Sequence, residues 1–340
     1  MSARHHIVPQ FYLRRFANES DQVALVDRDT PSRVHRNHVR RACSEVGFYR
    51  IETNSLEREE DRASHDPEIV EQIFGQFETA AAPAIHKILA GQRDLSKVDQ
   101  FHLINFIALQ TVRGARWRED FNAVATHAMR RYVAETLTDK EIRGWLVDER
   151  RRSRNVDIAT YRRELLSDGP RLEAPSEVMI QEGFKMALSD VGGIAEQLVD
   201  RMCDWDFIEP RTTAVLTSDE PVCWWAPGDE PFGYGNAKIV WLPLSRGVVL
   251  QMRQAGESNE SLGLPALDSI EGHNELALIV NREVASQAQR WIVHHPDDRP
   301  LDDLEILPRT QWVNERVGVS HEGNFVREQY VHRRRPLGQK

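Results

Sequence analysis

Hydrophobic spacing changes once along this chain of 340 residues, and the change limits the folds open to it. From residue 67 to about 118, apolar side chains recur every three or four positions, the repeat of a helix with one buried face. Val70, Ile73, Phe77, Ala81, Ala84 and Ile88 form one stripe; Asp66 caps it, Pro67 sits in its first turn, and Gly91 should end it. Phe101, Ile104, Ala108 and Val112 form a second, behind the cap Ser96, in a helix running to Arg118 or beyond. Past residue 204 the pattern shortens to strand-like runs at Trp205–Glu209, Ala214–Thr217, Ile239–Leu242 and Val248–Met252. Such an order predicts an α+β fold, with a helical layer packed on a mostly antiparallel sheet.

The opening reads as an extended segment followed by a hairpin, Val23–Val26 pairing with Arg33–Val39 across a turn at Arg28–Ser32. Residues 120 to 200 are helical but less regular, with a charged interval from Asp139 to Arg163 and a break at Ser167-Asp168-Gly169-Pro170. A helix from Pro175 to Met202 precedes the strands. Asp268 or Ser269 caps another, bearing Leu276, Ile279, Val280, Val284 and Ala288, and the strand Trp291–Val293 follows it. The expected organisation is one compact domain over residues 1–330, divisible into a helical lobe (60–202) and a sheet-rich lobe (203–295), with a mobile basic tail at 331–340.

Hydrophobic residues at 40% and charged residues at 29% supply a core of ordinary size. The net charge of −9 opposes wholesale coating of nucleic acid but leaves room for a local basic patch. Cys43, Cys203 and Cys223 are odd in number and form no CxxC pair, so buried thiols are expected. No apolar signal region opens the sequence, and its longest greasy stretch, Phe101–Leu109, is interrupted by Asn105. The expectation is a cytoplasmic protein that does not enter a membrane.

Residues able to carry chemistry cluster first at His5-His6-Ile7-Val8-Pro9-Gln10-Phe11-Tyr12-Leu13-Arg14-Arg15-Phe16. Histidines titrate near neutrality and can bind a metal, move protons or donate to a phosphate. On an extended chain His5 and His6 point to opposite faces, one to a site and one to the scaffold, unless both cap backbone carbonyls beside Pro9. Phe11, Tyr12, Leu13 and Phe16 should anchor the segment in the core. Glu71 and Glu78 lie two turns apart on one helix face, as metal ligands, as acid and base, or as a solvated edge.

On the next helix His102, Gln110 and Arg113 share an azimuth, a polar seam beside the apolar stripe. Arg113, Arg116 and Arg118 could fix an anion by forked hydrogen bonds, or pair with Glu119 and Asp120. In Ser218-Asp219-Glu220-Pro221, Asp219 is the preferred acidic site residue, an Asx-turn being its structural alternative. Ser218 lacks the Gly-x-Ser-x-Gly setting of a hydrolase nucleophile, and Gly233-Tyr234-Gly235 lacks the rest of a dinucleotide loop. The run Arg150-Arg151-Arg152-Ser153-Arg154, with Arg162 and Arg163, could meet a nucleic-acid backbone or form a solvated helical face.

The opening block resembles the His-His-x-x-Pro-x-x-Tyr-Leu-x-x-Phe signature of the family catalogued as domain of unknown function 4238. The resemblance continues through Gly47-Phe48-Tyr49, Phe106-Ile107-Ala108-Leu109-Gln110 with Arg113, Thr217-Ser218-Asp219-Glu220-Pro221-Val222, Pro243-Leu244-Ser245, and Asn281 with Ala288. Arg246 departs from it, standing where the family often has proline. The family carries no reaction to transfer, but these blocks mark Tyr12, Gln110, Arg113, Ser218 and Asn281 as candidate ligand-binding residues. His-Ile-Val-Pro is also similar to the first strand of His-Asn-His nucleases, although His35, Asn37 and His38 lack the spacing of the metal-binding helix.

Two functions follow from these residues. One is a phosphodiester hydrolase of nuclease type, acting on nucleic acid or a nucleotide. His5 or His6 would serve as proton donor or ligand, and Glu71, Glu78 and Asp219 would hold a divalent cation such as Mg or Mn. The other is a non-catalytic binding or regulatory module that recognises an anionic ligand or a protein partner. On either reading His5 or His6 should lie beside Asp219 or the glutamate-bearing helix.

Overall fold

The computed structural model describes residues 4–50, 66, 68–148, 157–166, 176–228, 233–302, 304–321 and 324–336. Its elements begin with β1 (Arg4–His6), α1 (Gln10–Leu13) with a 3₁₀ turn at Arg14–Phe16, β2 (Gln22–Asp27), β3 (Val34–His38) and β4 (Ser44–Val46). Helices follow: α2 (Ile69–Leu89), α3 (Lys97–Arg113), α4 (Ala115–Thr136), α5 (Asp139–Asp148), α6 (Ile158–Leu165) and α7 (Ser176–Arg201). The remainder is β5 (Asp204–Ile208), β6 (Thr217–Ser218), β7 (Cys223–Trp225), β8 (Ile239–Ser245), β9 (Val248–Arg253), α8 (Ile270–Gln287), β10 (Trp291–His294), β11 (Thr310–His321) and β12 (Asn324–Pro336). The protein is α+β, and every strand pairing among the described residues is antiparallel.

By its contacts the chain divides into two compact units, Met1–Trp117 with Phe184–Leu307 and Arg118–Gly183 with Pro308–Lys340. The first holds two four-stranded sheets, ordered β3-β2-β10-β6 and β5-β9-β8-β7, and the short β1–β4 ladder. One helix closes both sheets. Leu276, Ala277, Val280, Val284 and Ala285 of α8 share a core with Val26 and Ile292 of the first sheet and with Ile208, Cys223, Ile239, Trp241 and Val249 of the second. Each large apolar side chain buried there contributes roughly 1.5–3 kcal/mol. Ser269 caps α8 by accepting the Gly272 N–H at 3.1 Å. A Cβ on Gly272 would lie 1.9 Å from the Ala266 carbonyl oxygen, so only glycine fits the first turn.

The opening segment is held as its composition requires. Tyr12, Leu13 and Phe16 are fully buried, and Phe11, half-buried, packs on Phe106 of α3 with ring centroids 5.7 Å apart. The Tyr12 hydroxyl donates to the Pro243 carbonyl at 2.5 Å and lies 2.9 Å from the Thr217 hydroxyl. At the α2–α3 corner Ser96 caps α3 through the Asp99 N–H, and Lys87 bonds the Asp99 carboxylate at 2.7 Å.

Several expectations change in detail. Asp66 bonds the Glu68 N–H at 2.9 Å just before α2, while Glu68 occupies the N-cap itself. Pro67 and the break at Ser167–Pro170 lie outside the described residues, as do Arg150–Arg154. The second helix stops at Arg113, and a new one starts at Ala115 after Gly114. Phe101 is 60% exposed, because Leu103, Phe106, Ile107 and Leu109 take the buried face of α3. Cys203 is exposed, whereas Cys43 and Cys223 are buried. Arg333–Arg335, expected in a tail, lie in β12 opposite Gln311–Val313 of β11. β-branched and aromatic residues such as Trp312, Val317, Val319, Phe325 and Tyr330 give this hairpin its strand preference.

In the second unit Val133, Ala134, Ile142, Ile158, Tyr161 and Leu165 form a small core. Arg162 lies there, donating to the carbonyls of Ala134 at 2.6 Å and Leu137 at 2.5 Å. It closes the carboxyl end of α4, where a cation is favoured by the helix dipole. Among the described residues no helix is long and apolar enough to cross a membrane.

Candidate functional site

The β1–β4 pairing sets the two histidines. His5 lies opposite Glu45 and His6 opposite Ser44, so their side chains leave the strand on opposite faces. His5 is 1% exposed and uses both ring nitrogens. Its Nδ1 accepts the Tyr49 N–H at 2.7 Å, which places the proton on Nε2, and Nε2 donates to Glu68 at the start of α2. The ring stacks on Tyr49, with centroids 5.6 Å apart and planes 14° from parallel. Glu68 also accepts from Arg50 Nη1 at 2.9 Å. His6 is half-buried and donates from Nε2 to the Arg40 carbonyl at 3.2 Å. Burial lowers its pKa, and the nearby Arg113 and Arg4 act in the same direction.

Behind the histidines lies a buried guanidinium. Arg113, the last residue of α3, donates from Nε to the Tyr49 hydroxyl at 3.1 Å, from Nη1 to Glu78 at 2.5 Å, and from Nη2 to the His6 carbonyl. Its charge sits 5.0 Å from the Phe74 ring centroid and 5.6 Å from that of Tyr49. The Tyr49 hydroxyl donates back to the Arg113 carbonyl at 3.2 Å. Burial works to lower the Arg113 pKa, but Tyr49, Glu78 and Glu71 outweigh it and raise the value.

Glu71 completes the group. Its Oε2 lies 3.9 Å from Arg113 Nη2, buried and without a hydrogen-bond partner. Burial raises the Glu71 pKa against the opposing pull of Arg113 and the His6 backbone N–H, and Glu78 adds to the rise. The centre thus combines a neutral, fixed His5, a permanently charged Arg113 and a carboxyl that holds its proton to higher pH than an ordinary glutamate.

The other expected site residues lie elsewhere. Asp219 accepts backbone N–H groups from Gln289 at 2.9 Å, Arg290 at 2.8 Å and Trp291 at 2.9 Å, tying the end of α8 to β10. Burial nonetheless pushes its pKa up to about 6. Ser218 donates to the Glu220 carbonyl at 2.8 Å and accepts its N–H at 3.1 Å. Asn281 spans the Leu216 N–H at 3.0 Å and the Ala214 carbonyl at 2.9 Å. With Tyr12, these residues join chain segments rather than line one cleft. Gln110 is 2% exposed, and neither end of its amide has a partner among the described groups.

Glutamates 71 and 78 therefore flank Arg113, and Asp219 does not join them. Among the described residues no group of three or more His, Cys, Asp or Glu is arranged to hold a metal ion. The donor set expected for a divalent cation does not fit one, because Asp219 is engaged by three amides and Glu78 by a guanidinium.

Sequence reasoning missed Tyr49, Arg50, Glu68 and Glu220 as members of polar centres. Gly47-Phe48-Tyr49 was visible as a block, but nothing local ties Glu68 to a histidine 63 positions earlier. Glu220 accepts the Arg116 N–H at 2.9 Å at the start of α4. Its carboxylate fills the space beside Gly114, where a Cβ would lie 2.2–2.4 Å from its atoms. No curated protein and no solved structure matches the chain. The family described as protein of unknown function, DUF4238, matches residues 4–298, most of the sequence, and the chain belongs to that family.

Proposed function

We propose that the β1–α2–α3 centre is an acid–base site of hydrolytic type, with Glu71 exchanging a proton with the substrate and His6 as its basic partner. One observation carries this reading: the Glu71 carboxyl has a buried oxygen without a partner and a raised pKa. Perturbed carboxyls beside fixed charges are the usual form of a tuned acid. His6, its pKa lowered and its Nε2–H committed to Arg40, keeps its lone pair on Nδ1. His5 is too deeply buried to touch a substrate; it positions Glu68 and the Tyr49 backbone.

The phosphodiester form of this reading, with a nucleotide or nucleic acid as substrate, would need extra positive charge. Glu68, Glu71 and Glu78 are each partly exposed, while Arg113 is already committed to Glu78, Tyr49 and the His6 carbonyl. A neutral or cationic substrate suits this electrostatic balance better. The second reading, a non-catalytic binding module, draws support from His5, whose two nitrogens both serve the scaffold.

The test is a panel of chromogenic carboxylic esters, amides and phosphodiesters, assayed with EDTA and with added Mn²⁺. Turnover that survives EDTA and drops about 10²-fold or more in Glu71→Gln, at unchanged melting temperature, is the expected result. Phosphodiester turnover that requires Mn²⁺ would overturn the metal-free form. Turnover unaffected by Glu71→Gln would remove Glu71 as the acid, and no turnover on any substrate would replace the enzyme by the binding module.

A further inference from the structure

The sequence Arg33-Val34-His35-Arg36-Asn37-His38-Val39-Arg40-Arg41 carries six basic or imidazole side chains and no acid, in a protein of net charge −9. Arg33, His35, Arg36, His38, Arg40 and Arg41 are all exposed. The stretch is β3 and the turn after it, and β3 ends its sheet, paired only with β2 among the described residues. Asp297 lies nearby, 3.9 Å from Arg36, both side chains being more than half exposed.

The register shows which backbone groups are open. Val39 donates its N–H to the Asp21 carbonyl at 2.9 Å, so Val39, Asn37 and His35 belong to the set that exchanges hydrogen bonds with β2. Val34 and Arg36, at alternate positions, turn their N–H and C=O groups away from β2, and His38 does so with its N–H. Among the described residues these groups meet no backbone partner, and a row of them flanked by arginines results.

We propose that this edge binds an extended acidic peptide of a partner protein, added to the sheet as a fifth strand beside β3. Backbone groups of Val34 and Arg36 would supply the ladder, and the flanking Arg and His side chains would select Asp and Glu. A second copy of β3 is disfavoured, because its own cations would face these. A nucleic acid fits less well: the stretch has no Phe, Tyr or Trp on which bases could stack, and the remainder of the protein is acidic.

Fluorescence anisotropy of the full chain tests the proposal, using a labelled peptide of about ten residues that alternates Glu and Val, long enough for one strand. Saturable binding is expected, weakened about tenfold or more by Arg36→Glu and likewise by Val34→Pro. The proline removes an outward N–H while leaving the bonds to β2, so folding should be kept. A circular dichroism spectrum like that of the unaltered protein checks this for both variants. Binding that ignores Val34→Pro, a labelled oligothymidylate that binds more tightly than the peptide, or no peptide binding at all would each overturn the proposal.

Discussion

A guanidinium removed from water must find all its partners in the protein, and Arg113 finds Glu78, the Tyr49 hydroxyl and the His6 carbonyl. Arg113→Ala would leave Glu78 and Glu71 facing an apolar gap, and a loss of about 3–5 kcal/mol in denaturant unfolding is expected. Arg131→Ala, which breaks an exposed pair with Glu135, should cost about 0.5 kcal/mol or less. Gly114 raises a steric question instead. Gly114→Ala drives a methyl group into the Glu220 carboxylate, and overpacking of this kind costs about 1–3 kcal/mol. In a double-mutant cycle Glu220→Ala should restore part of that loss, whereas simple additivity would show that the two groups do not compete for the space. At this scale the sequence marked Arg113 as part of a polar seam with His102 and Gln110, and Glu71 and Glu78 as a separate pair on the preceding helix. It could not show that an arginine would occupy the place proposed for a cation, because proximity across 35 residues leaves no local signature.

Elements were the most legible level, since helix and strand periods follow from which faces are buried. The β2–β3 hairpin, α2, α3, α8 and the strands β5, β8 and β9 announce themselves through spacing, whereas β7, three residues long, does not. What spacing cannot reveal is which of two apolar faces wins, so Phe101 was placed inside where Phe106 is, and the β11–β12 hairpin went unread. Asp219 governs a junction between elements, gathering three amides at the end of α8. Its pKa, pushed up to about 6, stands above the unfolded value of about 4. The folded state therefore binds the proton more tightly, and this group's contribution is fully present below about pH 4 and lost as pH rises through about 6. Relative to Asp219→Asn, the unaltered protein should lose stability over that window. Parallel curves in urea titrations at successive pH values would show that the group does not titrate there.

For the whole molecule, α+β architecture could be read from the order of helical and strand segments, whereas the candidate site could be read only in parts. Its members come from β1, the segment after β4, the first turns of α2 and the end of α3, and topology alone brings them together. The Tyr12 hydroxyl illustrates what such assembly demands of the growing chain. Its partners, Thr217 and Pro243, are 205 and 231 positions away. At a synthesis rate of about 5–20 residues per second, Tyr12 exists for roughly 10–50 s before Pro243 is made. Throughout that interval the Tyr12 hydroxyl lacks its carbonyl acceptor, although the β2–β3 hairpin and Phe106 of α3 are already made. Burial of Tyr12 is completed only when the second sheet is made, so for that long the partly folded chain carries incompletely covered aromatic surface, the kind through which unfinished domains associate.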